Sequence, residues 1–290
     1  MSTITATAET VHPTPPSTPA PSRRHSTAGT GVSMSGILRS EWVKLRSVRS
    51  STTTLAAAAF VFLAIGLTFA ASLGGLLSTG DPNNPFTQNP AGATLQGTLL
   101  AQLIIGVLGV LVMTSEYATG TIRTTLALVP KRLPVLWAKA IIVAVVAFPT
   151  MLATSFVALF DGQALIGSGG LPTASLGDPG VLGAVIGTAA YLTGIAVLGL
   201  AIGTLLRSTA AAISTLVALV FLLPGLGALL LPASWKDNVL QYLPTNAGSS
   251  FTDVQASAGQ LSTGAGAAVF AAWVLLPLAF AAIALKRRSA

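Results

Sequence analysis

Six apolar stretches recur along the chain, at about Leu55–Leu77, Leu95–Thr114, Ala140–Phe160, Val181–Leu206, Ala210–Leu231 and Ala265–Leu285. Each is close to the roughly 20 residues that a helix needs to cross a hydrocarbon core of about 30 Å. None carries a charge in its middle, and only Gln102 interrupts the second. A backbone in lipid must satisfy its own hydrogen bonds, so every stretch is expected to be helical. Composition agrees: 8% of the 290 residues are charged, against about 25% in a soluble domain. The expected fold class is an all-α polytopic membrane protein with six transmembrane helices.

Charge sets the expected orientation. With the N-terminus inside, fourteen of the fifteen Lys and Arg residues fall on the cytoplasmic side, and only Lys236 falls outside. Arg23 and Arg24 lie far from any span and do not count, leaving a ratio of twelve to one. Both termini are therefore expected in the cytoplasm. The net charge of +7 reflects this topology and anionic lipid, and gives no reason to expect nucleic acid as a partner.

Several chemistries lack their residues. Cysteine is absent, and the two histidines, His12 and His25, sit in the N-terminal tail. No metal site or histidine base is therefore expected in the spans. No lysine follows a glycine, so there is no G-x-x-x-x-G-K-[ST] phosphate loop. The chain is not expected to be an enzyme or to hold a cofactor. With no acid or base within the spans, a proton-coupled carrier is also disfavoured.

Residues 1–33 are rich in Pro, Ser and Thr and read as a disordered cytoplasmic tail. Met34 opens a stretch that resembles a normal protein start. Residues 34–51 follow as an interfacial segment, with an amphipathic helix over 36–50 and the six-span domain over 52–290. Ile37, Leu38, Trp42, Leu45 and Val48 share an arc of about 140°, with Arg39, Lys44 and Arg46 largely opposite. Glu41 and Arg49 fall inside the apolar arc and Val43 outside it. The segment is either a topology anchor or an elbow helix that also touches a cytoplasmic partner.

The loop over residues 115–140 offers Thr119 or Thr121 as an N-cap for a short helix that Pro130 would end. It is either a partner-docking element or an interfacial turn. Span four carries Gly183, Gly187, Ala190 and Gly194 on one face, then Gly199 and Gly203. Such spacing serves close packing within a subunit or a dimer seam. Arg207–Thr209 form a tight hairpin turn. Pro149, Pro224–Gly225 and Pro277 are kinks, or at the Pro-Gly pair a break in span five. Outside, Trp235, Val239, Tyr242 and Leu243 suggest an interfacial helix ended by Pro244. The loops at 78–94 and 161–180 suggest nothing specific.

Four segments resemble the permease subunits of bacterial ABC transporters of the type-2 exporter class. They are SEWVKLRSVRS before span one, SEYATGTIRTTLALVPKR after span two, IGTLLRSTAAAI across the span four–five turn, and WKDNVLQYLPTNAG outside. The Ala-rich, Lys-poor composition is similar to that of actinobacterial permeases. The resemblance implies a bacterial cytoplasmic (inner) membrane location and a separate ATPase subunit that carries ATP and Mg. It also implies a second permease, identical or different, and an amphipathic or hydrophobic substrate moved outward. It places ATPase coupling on Glu116, Tyr117, Gly120, Thr121, Arg123 and Leu128, with Trp42, Lys44, Leu45 and Arg46 on the elbow helix. Glu116 has an alternative as a solvated charge at the end of span two, and Gly120 as a chain turn. A secondary carrier or channel, and a non-transporting sensor or scaffold, are the other functional readings.

Overall fold

A computed structural model describes residues 33–76, 86–121, 133–257 and 259–287. Every regular element among them is helical. The order is α1 (Met34–Ser47), α2 (Arg49–Leu73), α3 (Pro90–Thr94), α4 (Thr98–Ala118), α5 (Leu133–Ser168) and α6 (Val181–Leu206). Then come α7 (Thr209–Val217), a π-helical turn (Ala218–Leu222), α8 (Leu223–Leu230), α9 (Ala233–Leu240), α10 (Pro244–Thr252) and α11 (Thr263–Arg287). Six helical runs are long and apolar enough to cross a membrane: α2, α3–α4, α5, α6, α7–α8 and α11. The six-span, all-helical expectation therefore stands. The expected disordered tail lies outside the described residues.

The helices outrun their hydropathy. The third span extends over 36 residues, about 54 Å at 1.5 Å per residue, well beyond a hydrocarbon core. Lys139 and Asp161, read as flanking charges, both lie inside it. The first transmembrane helix starts at Arg49 because Val48 is extended (φ −82°, ψ 104°) and separates it from α1. Arg49 thus leaves the apolar arc of the amphipathic segment.

α6 is the centre of the bundle: 72% of its most apolar stretch is buried, against 11% of that in α7–α8. Glycines make this possible. A Cβ at Gly109 would strike the carbonyl of Ala196, and one at Gly199 would strike that of Gly106. α4 and α6 therefore touch backbone to backbone through reciprocal small residues. Farther along α6, Gly187 faces the carbonyl of Phe251 and Gly194 the ring of Phe270. Gly183 and Ala190 are exposed, and nothing lies near a Cβ at Gly183.

Span five widens just before its Pro-Gly pair. Pro224 cannot donate to the carbonyl of Val220 four residues earlier, and that oxygen instead accepts a hydrogen bond from the Thr245 hydroxyl (2.9 Å). The helix is remodelled by a π-turn and continues as α8, while Pro149 and Pro277 sit in uninterrupted helices. Pro244 occupies the first position of α10, where its missing amide costs nothing. So α9 stops at Leu240 and α10 follows at once. α10 packs on α6 and α11 through Tyr191, Phe251 and Phe270, whose ring centroids are 5.0–6.5 Å apart.

Two segments that carry no sequence signal, 86–94 and 161–180, are held by specific hydrogen bonds. Asn89 caps α3 by accepting from the Gly92 amide (2.9 Å). Gln163 in α5 donates to the Pro90 carbonyl (3.1 Å) and accepts from the Ala174 amide (2.7 Å). One buried amide side chain thereby ties α3 and the segment after α5 to the third span.

Candidate functional site

Four charged side chains from three helices meet where α1 crosses the ends of α4 and α5. Ser33 caps α1 by accepting from the Gly36 amide (3.2 Å). The inward face of α1 then carries Ile37, which packs on Val135 and Ala138 of α5, and one turn later Glu41. Glu116 comes from the last turn of α4 and Lys139 from the second turn of α5. The Lys139 ammonium, 2% exposed, donates to Glu41 Oε2 at 2.6 Å and to Glu116 Oε1 at 2.7 Å. Lys44 donates to Glu41 Oε1 at 2.9 Å and to the same Glu116 oxygen at 3.1 Å. Two acids and two bases therefore close a neutral ring, with Glu41, Glu116 and Lys139 buried and Lys44 40% exposed.

This ring explains two misfits of the sequence. Glu41 lies in the apolar arc of α1 because its partner is a buried lysine, not water. Lys139, a flanking charge by sequence, is buried near the start of the long third helix rather than solvated. The solvated-charge alternative for Glu116 also fails: the residue is 9% exposed, and its Oε2 is buried without a hydrogen-bond partner among the described residues.

Burial is the largest influence on the Lys44 ammonium and pulls its pKa down. The hydrogen bond to Glu41 and the charges of Glu116 and Glu41 outweigh it, so the group ends above the ordinary lysine value. Desolvating four charges is costly, and their mutual attraction offsets that cost only while the geometry holds. Withdrawing α1 would strand Lys139 and Glu116 in a low-dielectric site. The ring thus locks the amphipathic helix to the second and third spans. Beside it opens a cavity of about 720 Å³, lined by Lys44, Leu45, Ser51, Leu111, Glu116 and Thr119 among others.

The remaining sequence-derived residues divide. Trp42 and Arg46 are exposed on the outer side of α1, and Leu45 packs on the main core. Tyr117 is half-buried beneath the Arg207 guanidinium, 5.3 Å from its ring centroid. Arg207 adopts the left-handed region (φ 54°) that turns α6 into α7, so the tight hairpin expected there is present. Thr119 caps the end of α4 and donates to the Ser115 carbonyl (2.9 Å); it does not start a new helix. Gly120 has φ +71° with open space around it, a chain turn. Thr121 is exposed, and the Thr119 and Thr121 hydroxyls are 2.9 Å apart. Arg123, Leu128 and the short coupling helix lie outside the described residues.

Sequence reasoning missed Glu41 and Lys139 as site residues. The signal for the first was there, as the one acid on an apolar arc.

Residues 37–225 match the family described as ABC-2 family transporter protein. The chain belongs to the ABC-2 transporter family. The matched region begins inside α1 and ends at the Pro-Gly pair of span five, so it contains all four members of the ring. The ABC-2 assignment and the six apolar helical runs together make this a multi-pass membrane protein of an ABC transporter. No curated protein matches the chain.

Proposed function

We propose that the chain is the permease subunit of an ATP-driven exporter, energised by a separate ATPase that carries ATP and Mg. Its termini and the ion ring face the cytoplasm of a bacterial inner membrane, an orientation supported by the charge asymmetry. The observation that carries the reading is the ring itself. It ties the amphipathic helix to the spans at both ends of the 122–132 segment, where an ATPase would push. Movement of that segment would then reach α1, α4 and α5 together. A second permease has room on the thinly buried face of span five, where Ile213, Val217, Phe221 and Leu222 border an open groove. The apolar bundle suits an amphipathic or hydrophobic substrate.

The docking role is best tested at Arg123 and Leu128, because removing buried Glu116 also weakens the fold. An R123A/L128A variant is expected to reach the membrane at normal levels. It should lose co-purification with a co-expressed partner ATPase, together with substrate-stimulated hydrolysis. Unchanged co-purification and hydrolysis would remove the docking role while leaving the family assignment intact. An ion-driven carrier is the second reading, favoured by the buried Lys139 and Glu116. It requires transport by the chain alone in liposomes without ATP.

A further inference from the structure

A second polar region lies at the far end of α4. Gln102 and Glu116 are 14 residues apart on that helix, about 21 Å along its axis. There, a cavity of about 390 Å³ opens between the 86–102 segment, α6, α10 and the residues that follow α10. Its lining comes from a single subunit and it is open on one side.

Its walls are two-sided. Phe86, Leu95 and Leu99 supply apolar surface, while Thr188, Thr245 and Ser249 supply hydroxyls. Gln102 is fixed: its Oε1 accepts from the Tyr191 hydroxyl (2.5 Å) and its Nε2 donates to the Leu99 carbonyl (3.0 Å). Thr188 is the exception. Thr68, Thr114, Thr150, Thr154, Thr193 and Thr204 each donate to the carbonyl four residues earlier in their helix. The Thr188 hydroxyl is fully buried against this cavity and has no hydrogen-bond partner among the described residues. Leaving a buried hydroxyl unpaired costs about 1–3 kcal/mol, so the site is complete only when something bonds to it.

Charge narrows the choice. The lining holds one carboxylate, Asp253, and no Lys, Arg or His. Gln260 donates to Asp253 Oδ2 at 2.7 Å. Burial is the larger influence on this carboxyl and moves its pKa above the ordinary value, against the hydrogen bond from Gln260. Asp253 nevertheless keeps an exposed surface, so its carboxylate is open to a cation at the cavity.

We propose that this cavity binds a monocationic amphipath, with its ammonium at Asp253, a polar atom on Thr188, and an aromatic or alkyl body against Phe86, Leu95 and Leu99. The site needs neither ATP nor the partner ATPase, so its test is independent of the transport reading.

The experiment uses the full chain in lipid nanodiscs and two fluorescent probes. One is monodansylcadaverine, a primary amine. The other is its N-acetylated form, which has the same aromatic body and no charge. The amine is expected to bind saturably and about tenfold more tightly than the neutral probe, the scale of one charge-assisted hydrogen bond. D253N, an isosteric change, should erase that difference. T188V should weaken both probes by about threefold to tenfold and leave the preference intact. Chromatographic profiles matching the parent chain would show that both variants fold. Equal affinity for the two probes, no saturable binding, or an amine preference that survives D253N would each overturn the proposal.

Discussion

The two ends of α4 solve the same problem with opposite chemistry. At one end Glu116 joins a ring of four charges; at the other Gln102 takes a hydroxyl from Tyr191 and no charge is used. Both bind α4 to a neighbouring helix through buried polar atoms. The charged end joins three helices through four charges, and removing one leaves its buried partners under-compensated in a low dielectric. The neutral end is open-sided: its amide is satisfied, but Thr188 still has a hydroxyl to offer. A charged ring suits a joint that must stay engaged. Hydroxyls and amides suit a wall against which something else can bind.

The sharpest way to break this comparison is at Lys139. Lys139→Met leaves two buried carboxylates with only the part-exposed Lys44 to compensate them and should destabilise the chain by about 3 kcal/mol. Thermal unfolding in detergent would report this, and a loss under 1 kcal/mol would mean that water reaches the ring. Tyr191→Phe at the other end should cost less, about 1–3 kcal/mol, since it leaves only the Gln102 oxygen unpaired. Equal losses would mean that the two ends do not differ in the way described.

The smallest effect separates the ends by pH. The Lys44 ammonium is held above its unfolded value of 10.5, so the stability it adds is complete below that pH. That contribution is lost as pH rises through the higher folded value. The stability gap between the parent chain and Lys44→Met should therefore be constant up to about pH 10 and close above it. A gap that widens with pH would contradict the assigned partners.

Much of the fold could be read from hydropathy, because lipid leaves the backbone few options. The helix limits could not. Hydropathy reports the thickness of the hydrocarbon, whereas α5 continues past both edges of it, carrying Lys139 and Asp161 with it. Charge counting treats every charge as solvated. Whether a lysine is paired or wet depends on which helix crosses above it, and that is tertiary information. Glu41 shows the limit well: its misfit on the α1 arc was visible, but its partner lies 98 residues away. Pro244 shows a local ambiguity. A proline both ends one helix and begins the next, and only the packing of Ala247 and Gly248 beneath Tyr191 and α11 decides that a second helix follows.

The reciprocal glycines of α4 and α6 have a mechanical consequence. Backbones in direct contact have no flexible side chain between them to absorb a shift, so this pair acts as a stator. Whatever moves during a working cycle must move around it. The thinly buried span five, with its widened turn held by Thr245, is the part of the chain least restrained by that fixed strut.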